Sequence, residues 1–168
     1  MTYLLWPQDQ DEHLLDLSDI TNFKLFLKQF VPIVKTKQLV ITEEFYQILN
    51  KHLSVEVVSK FNIRYILAND LSFILPHTTT CNKAESIIAQ FDKYVDEDLY
   101  VIGDKNTIRS FFSKTDYLIV FTFNCLNSKI IKKIDCIDFA NHIVLEKSNV
   151  SPNCVCSVYS RQSNTYKG

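Results

Sequence analysis

The stretch of sequence that decides the fold covers residues 99–123 and reads LYVIGDKNTIRSFFSKTDYLIVFTF. Its two ends, Leu99–Ile102 and Tyr117–Phe123, are short apolar runs of the kind found in buried strands. Between them, three apolar residues recur at helical spacing: Ile108, Phe111 and Phe112. A strand, a helix and a second strand in this order predict a β-α-β unit, the building block of parallel sheets.

Upstream of this unit, the chain alternates between strand and helix patterns. Strands are predicted, in order, at Tyr3–Trp6, Gln38–Thr42, Arg64–Ala68 and Phe73–Leu75. Helices are predicted after Ser18, after Thr42 and over Lys83–Tyr94. The first helix is expected to have Ser18 as its cap, Asp19 in its opening turn and Pro32 as its stop. Alternation of this kind is typical of an α/β fold.

The C-terminal part of the chain has a different character. After Asn124 no helical pattern is visible, and strands are predicted at Ile130–Ile137, His142–Glu146 and Cys154–Ser160. These segments are expected to close the sheet as an antiparallel meander. Residues 1–168 are therefore predicted to form a single α/β domain. Its central sheet should be mixed and mostly parallel, with helices on both faces and an antiparallel C-terminal end.

Length and composition limit what this fold can do. The chain has 168 residues and a formal net charge of −1, so no broad basic surface attracts nucleic acid or anionic lipid. Glycine occurs twice, and only Gly103 is internal, which excludes a glycine-rich phosphate loop. No apolar run reaches the roughly 18 residues that span a bilayer. We therefore expect a soluble, cytoplasmic protein without a membrane or nucleic-acid partner.

Cysteine usage indicates free thiols. The five cysteines are scattered and odd in number, unlike the disulfide framework of a secreted protein. Cys154 and Cys156 lie on one face of a predicted strand, but no second pair supplies the two further ligands that zinc needs. We therefore expect no metal site.

Four segments resemble motifs of the dihydrofolate reductase family, in the family's order and at similar spacing. Residues 4–9 (LLWPQD) resemble the first-strand motif L-I-W-A-x-D, and residues 18–24 (SDITNFK) resemble the helix motif E-D-L-x-x-F-K. Residues 38–48 (QLVITEEFYQI) occupy the place of P-V-V-M-G-R-x-T-x-E-S-I, and residues 100–104 (YVIGD) that of V-I-G-G. The resemblance covers most of residues 1–123 and is vague afterwards.

The resemblance implies a dihydrofolate-reductase-like fold and NADPH-dependent reduction of dihydrofolate or a related pterin. Asp19 corresponds to the carboxylate that binds and polarises the pterin. Four side chains are expected to hold the substrate: Leu5, Trp6, Phe23 and Phe121. On the cofactor side, the resemblance assigns Thr42, Glu43, Ile102, Gly103, Asp104 and Lys105.

The cofactor side departs from the family pattern. Glu43 stands where the family has an arginine facing the 2′-phosphate of NADPH, and Asp104 replaces the second of two consecutive glycines. The loop 11–17 is shorter than the family's and lacks its glycines. Two functions remain open: a reductase, and a non-catalytic protein of the same fold that binds a pterin, a nucleotide or a protein partner. A third, a reductase of the riboflavin pathway, lacks matching motifs for its sugar-phosphate substrate.

Asp19 and Phe23 also have a purely structural interpretation. An acid in the first turn of a helix complements the helix dipole whether or not a ligand is present. Phe23, one turn later on the same face, would then be an ordinary core residue.

Overall fold

The computed structural model describes residues 1–92, 96–124 and 139–161. The strands in these ranges are β1 (Thr2–Asp9), β2 (Gln38–Thr42), β3 (Asn62–Leu67), β4 (Thr79–Cys81), β5 (Leu99–Ile102), β6 (Tyr117–Phe123), β7 (His142–Ser151) and β8 (Cys154–Arg161). The α-helices are α1 (Ile20–Val34), α2 (Glu43–His52), α3 (Val55–Ser59), α4 (Ala84–Phe91) and α5 (Lys105–Phe111). A short 3₁₀ helix covers Phe139–Asn141.

The eight strands form one sheet in the order β4-β3-β2-β5-β1-β6-β8-β7. The strands from β4 to β6 run parallel to their neighbours. In contrast, β8 is antiparallel to β6 and β7 is antiparallel to β8. This confirms the predicted fold class, a mixed and mostly parallel sheet with an antiparallel C-terminal end. Because the parallel strands share a direction, their carboxyl ends meet at one edge of the sheet.

Helices cover both faces of the sheet, as predicted. Successive residues of a strand point to opposite faces, so strands that are apolar throughout present apolar side chains on both faces, and each face must be covered. The apolar side chains between the sheet and α1 and α2, here termed the α1-side cluster, include Leu5, Phe23, Phe26, Phe30, Ile41, Phe45, Leu49 and Phe121. The α4-side cluster, between the opposite face and α4 and α5, includes Leu4, Trp6, Val40, Ile87, Val101, Ile108, Phe111 and Val120. Each face of the sheet therefore buries its own core.

The start of α1 differs from its prediction. Asp19, rather than Ser18, is the N-cap, because its carboxylate accepts hydrogen bonds from the backbone N–H groups of Thr21 and Asn22 at 2.9 and 3.2 Å. The Ser18 hydroxyl instead donates to the Asp16 carboxylate at 2.6 Å. Aspartate and serine are both good N-caps, so local propensity does not separate them.

The end of α1 also differs from its prediction, since Pro32 lies inside the helix instead of stopping it. The helix continues to Val34, which is buried in the α1-side cluster. A proline near the last turn removes only one backbone hydrogen bond, and burial of apolar side chains on this turn offsets that loss.

The segment between β3 and β4 shows why a short apolar run is ambiguous. The predicted strand Phe73–Leu75 is wrong: these residues form a loop in which the Phe73 N–H donates to the Asp70 carbonyl at 3.1 Å. The loop returns the chain to the start of β4, which the sequence did not predict, so that β4 can pair in parallel with β3. The short helix α3 was not predicted either.

Other predictions agree with the structure as far as it describes them. The strands predicted at Leu99–Ile102 and Tyr117–Phe123 are confirmed with the same bounds, and those predicted at His142–Glu146 and Cys154–Ser160 lie within β7 and β8. The predicted strand Ile130–Ile137 and the last two residues of the predicted helix, Lys93 and Tyr94, lie outside the described residues.

Three tyrosines stack across the central strands, at the edge opposite the carboxyl ends. The ring of Tyr3 in β1 lies between those of Tyr100 in β5 and Tyr117 in β6, with centroids 4.4 and 5.0 Å apart. The pKa of Tyr100 is raised to about 12, mainly by burial and to a lesser extent by the neighbouring Tyr3 and Asp98. Burial also raises the pKa of Tyr3. These phenols therefore stay neutral at a pH where an unfolded tyrosine, with a pKa of about 10, ionises.

We expect the protein to lose stability as the pH rises from about 10 towards about 12. Folded Tyr100 keeps its proton in this range while the unfolded chain releases it, so the free energy of unfolding falls with pH. Tyr100→Phe should make this fall less steep while keeping the stacked ring. Urea denaturation at several pH values measures the slope. The same slope in the variant and the parent protein would contradict the assignment to Tyr100.

Candidate functional site

The carboxyl ends of β2, β3 and β4 open onto a groove of about 600 Å³, here termed the strand-end groove. Its lining comes from these strand ends and from α2, α4 and α5: Thr42, Glu44, Leu67, Ala68, Asn69, Asn82, Lys83, Ala84, Glu85, Asn106, Arg109, Ser110 and Lys114. Open α/β sheets bind ligands at this edge, where strands end and helices begin. The volume lies within the range of small-molecule sites.

The charged side chains of the strand-end groove favour an anion. Three basic residues, Lys83, Arg109 and Lys114, line it together with two acidic ones, Glu44 and Glu85, which leaves a formal charge of +1. Lys114 Nζ lies 3.3 Å from Glu85 Oε1. The pKa of Glu85 is lowered, first by a hydrogen bond from its own backbone N–H and then by Lys114. An anion in the groove would therefore meet local positive charge on a chain that is negative overall.

The helices that start at this edge differ in how their N-termini are capped. Thr42 caps α2, its hydroxyl oxygen accepting from the Phe45 N–H at 3.1 Å. Asp104 caps α5 in the same way by accepting from the Thr107 N–H at 3.0 Å. The N-cap of α4 is Lys83, whose side chain makes no capping hydrogen bond. In the first turn the Glu85 carboxylate accepts from its own backbone N–H, so the start of α4 offers its other N–H donors and the positive end of its helix dipole to a phosphate.

Of the residues predicted to bind the cofactor, only Thr42 lines the strand-end groove. Glu43 is half-buried and outside the lining, whereas its neighbour Glu44 is exposed and part of it. Ile102 is fully buried in the α1-side cluster. The other three, Gly103, Asp104 and Lys105, lie at the junction of β5 and α5, also outside the lining.

A hydrogen-bonded cluster, Thr42–Asp104–Thr107, connects the end of β2 to the start of α5. The Thr42 hydroxyl donates to Asp104 Oδ2 at 3.4 Å, and Asp104 Oδ1 accepts from both the N–H and the hydroxyl of Thr107 at 3.0 Å. Thr107 also covers the open face of Gly103: a Cβ added to Gly103 would lie 2.8 Å from Thr107 Cβ. The main chain at Gly103 is therefore covered by the protein's own side chain.

The residues predicted to hold the substrate do not all come together. Leu5, Phe23 and Phe121 share the α1-side cluster and are buried to at least 99%. Trp6 lies on the opposite face of the sheet, in the α4-side cluster, because it follows Leu5 in the same strand. Its indole packs 6.3 Å from the ring of Phe112. The structure therefore does not bring Trp6 to the other three residues.

The region predicted for the pterin is filled by side chains of α1, α2 and β6. The ring centroid of Phe23 lies 4.9 Å from that of His52 at the end of α2. The ring of Phe26 lies 5.9 Å from that of Phe121. These rings occupy the space between α1, α2 and the sheet, so a flat bicyclic ligand would have to displace them.

Asp19, the predicted catalytic carboxylate, is exposed at the surface. Its Oδ1 accepts both capping hydrogen bonds at the start of α1, and its carbonyl accepts from the Phe23 N–H at 2.9 Å. This geometry matches the purely structural interpretation of Asp19 as a helix cap.

The loop after β1 folds back onto its own strand. The Leu15 N–H donates to the Pro7 carbonyl at 3.2 Å, and the Asp9 carboxylate accepts from the backbone N–H groups of Asp11 and His13, both at 2.9 Å. Side-chain donor atoms of Asp9, Asp11 and His13 lie within 4.8 Å of one another. Asp9 Oδ1 already accepts these loop hydrogen bonds, and Asp9 Oδ2 lies 3.3 Å from His13 Nδ1. The Asp9 carboxylate therefore stabilises the turn.

The sequence reasoning missed most of the groove. Lys83, Arg109 and Lys114 lie far apart in the chain and outside any motif, so only the order of the strands brings them to one edge. Asn69 and Asn82, which follow β3 and β4, were the available signal, since polar residues directly after parallel strands mark a ligand edge.

Comparison with known proteins identifies the fold. No family model matches the sequence, and no curated protein matches it. Among solved structures, the chain is similar to a dihydrofolate reductase from Enterococcus faecalis solved with NADP(H) and RAB-propyl, with a TM-score of 0.71 and 16% identity over 97% of both chains. None of the described helices has the length and apolarity needed to cross a membrane. The chain therefore has the dihydrofolate reductase fold, as the sequence motifs predicted.

Because Asp19 caps α1, we expect Asp19→Ala to lower the free energy of unfolding by about 1 kcal/mol, and Asp19→Asn to change it little, since asparagine also caps well. Urea denaturation of the two variants and the parent protein measures both effects. Equal stability of all three proteins would contradict the capping role, and a loss of pterin binding in the still stable Asn variant would restore Asp19 to a binding role.

Proposed function

We propose that this chain is a nucleotide-binding protein with the dihydrofolate reductase fold, which binds NADPH through the adenosine phosphate half in the strand-end groove. One contrast carries the proposal: the groove at the strand ends is open and lined by three basic side chains, while buried aromatic rings fill the region predicted for the pterin. Of the functions left open by the sequence, this contrast favours the non-catalytic one.

A phosphate group fits the groove at the start of α4. Backbone N–H groups of the first turn, other than that of Glu85, would donate to the phosphate, and Lys83 and Arg109 would contribute positive charge. The side-chain amides of Asn69 and Asn82 supply donors and acceptors for the ribose or the base. These residues together suit a nucleoside phosphate.

The nicotinamide half of NADPH does not fit the structure described. When a site holds that ring beside an acceptor, the ring supplies a hydride. Here the side chain of Thr107 covers the main chain at Gly103. The hydrogen bond from Thr42 to Asp104 also joins the end of β2 to the start of α5, and these two would have to separate to admit the nicotinamide ring. We therefore assign no reaction step to this half of the molecule.

One observation favours a second candidate function, the binding of a pterin. His52 Nε2 is buried without a hydrogen-bond partner among the described residues, and its ring packs against Phe23. An unpaired buried polar atom costs roughly 1–3 kcal/mol. A polar ring atom of a pterin entering between α1 and α2 would pair with it, but only after the α1-side cluster had opened.

The proposal predicts that NADPH and adenosine monophosphate bind with dissociation constants within about tenfold of each other, because the nicotinamide half adds few contacts. Calorimetric titration of both compounds measures this ratio. Mixing NADPH with dihydrofolate should leave the absorbance of NADPH unchanged. Binding of NADPH more than about a thousandfold tighter than that of adenosine monophosphate, or steady oxidation of NADPH by dihydrofolate, would contradict the proposal.

Two adjacent glutamates provide a matched control. Glu44 lines the groove, so Glu44→Gln should tighten NADPH binding about fivefold, the equivalent of roughly 1 kcal/mol between like charges 4 Å apart in water. Glu43 lies outside the lining, so Glu43→Gln should leave binding unchanged. The opposite result, with the effect at Glu43, would show that the ligand lies where the sequence motif placed it and not in the groove.

A further inference from the structure

A second groove, of about 610 Å³, lies on the far side of α2 and is separate from the strand-end groove. One wall is formed by α2 and α3, and the other by residues 75–78, which lead into β4. None of the described residues lines both grooves. We term it the α3 groove.

The walls of the α3 groove are held in place by hydrogen bonds. The Thr78 hydroxyl donates to the Ile63 carbonyl at 2.7 Å, which fixes residues 75–78 against the start of β3. On the other wall, Ser54 caps α3 by accepting from the Val57 N–H at 3.3 Å. His77 has a left-handed backbone with φ 60°. This conformation costs energy in a residue other than glycine and persists only where the surrounding structure holds it. A groove with fixed walls loses little entropy when it binds a ligand.

The base of the α3 groove is apolar and its rim is polar. Val58 is buried, and Tyr46, Phe61, Ile63 and Leu75 are half-buried beside it. Exposed amides of Asn50 and Asn62 lie at the rim. Two large apolar side chains nearby, Val55 at the groove and Ile74 beside it, are 80% and 78% exposed. An apolar base with a few polar groups around it is typical of a small-molecule site.

The charge of the α3 groove points to an anion. Lys60 lines it, and no carboxylate occurs among its described lining residues. This contrasts with the strand-end groove, which two glutamates also line. Since the chain as a whole carries a net charge of −1, a lining in which Lys60 is the only charged side chain among the described residues is a local feature.

We infer that the α3 groove binds a small amphipathic carboxylate, with its apolar body on Val58, Ile63 and Leu75 and its carboxylate at the rim beside Lys60. Binding of the apolar body is favourable because it removes apolar surface of the ligand and of the groove from water. The carboxylate would form an ion pair with Lys60 and accept hydrogen bonds from the side-chain amides of Asn50 and Asn62. This site is independent of the proposed nucleotide site.

Octanoate is the probe, and its binding is measured by calorimetry and by displacement of the fluorescent anion anilinonaphthalene sulfonate. We expect saturable binding at one site per chain. Decyltrimethylammonium, which has an apolar chain and a positive head group, should not displace the fluorescent anion. Lys60→Gln should weaken octanoate binding about fivefold or more, from the loss of one charge pair, and Lys60→Arg should retain it. Ser59→Trp, which fills the groove, should abolish it.

Lys51→Gln is the matched control, because Lys51 is an exposed lysine of α2 outside the groove lining. This variant should bind octanoate as the parent protein does, and thermal unfolding confirms that each variant is folded. The inference is overturned if octanoate does not bind, if Lys60→Gln and Lys51→Gln have equal effects, or if the cationic amphiphile competes equally well. Adenosine monophosphate should bind all variants alike, so failure here is distinguishable from failure of the proposed nucleotide site.

Discussion

Aromatic rings packed between α1, α2 and the sheet form the α1-side cluster, and the proposed function depends on this packing. Phe26 lies at the centre of this packing, with ring centroids of Phe30 and Phe121 at 4.6 and 5.9 Å, and Phe30 in turn lies 6.4 Å from Phe45. Removal of one buried phenylalanine typically costs 3–5 kcal/mol. Opening the space for a bicyclic ring would disturb several of these contacts at once. A ligand placed between α1, α2 and the sheet would therefore have to offset the loss of these contacts.

At the carboxyl ends of the strands, the protein's own side chains also occupy hydrogen-bonding positions that a ligand could use. A helix N-terminus attracts an anion, and here Thr42 and Asp104 satisfy the donors of α2 and α5 from within the chain. Their mutual hydrogen bond also joins β2 to α5. Among the described helices that start at this edge, α4 is the one whose N-cap residue makes no capping hydrogen bond, although the Glu85 carboxylate accepts from the Glu85 N–H.

Strand and helix periodicity was sufficient to predict the fold, because long apolar runs such as Tyr117–Phe123 must be buried on both sides. Periodicity did not predict the short elements correctly. The three residues of β4 are too few for a period. The apolar run Phe73–Leu75 is a loop in which the ring of Phe73 packs 5.8 Å from that of Tyr46, while Ile74 is exposed. Local pattern cannot tell an anchored loop from a short strand.

The candidate site was harder to predict than the fold. The motif around Asp19 gave the right helix, but exposure of its carboxylate depends on how the short loop before α1 returns to β1, which is a tertiary effect. Trp6 was placed with Leu5 although alternation along a strand puts neighbours on opposite faces, so this separation was available from the sequence. The basic side chains of the strand-end groove carried no motif and needed the strand order to bring them together.

The most direct test of an open strand-end groove beside a closed α1-side cluster is amide chemical-shift mapping of the labelled protein with NADPH and, separately, with dihydrofolate. NADPH should shift the backbone amides of Asn69, Asn82 and Arg109, and dihydrofolate should leave those of Leu5, Phe23 and Phe121 unchanged. Shifts at Leu5, Phe23 and Phe121 with dihydrofolate would show that the cluster opens to admit a pterin, and would contradict the closed arrangement.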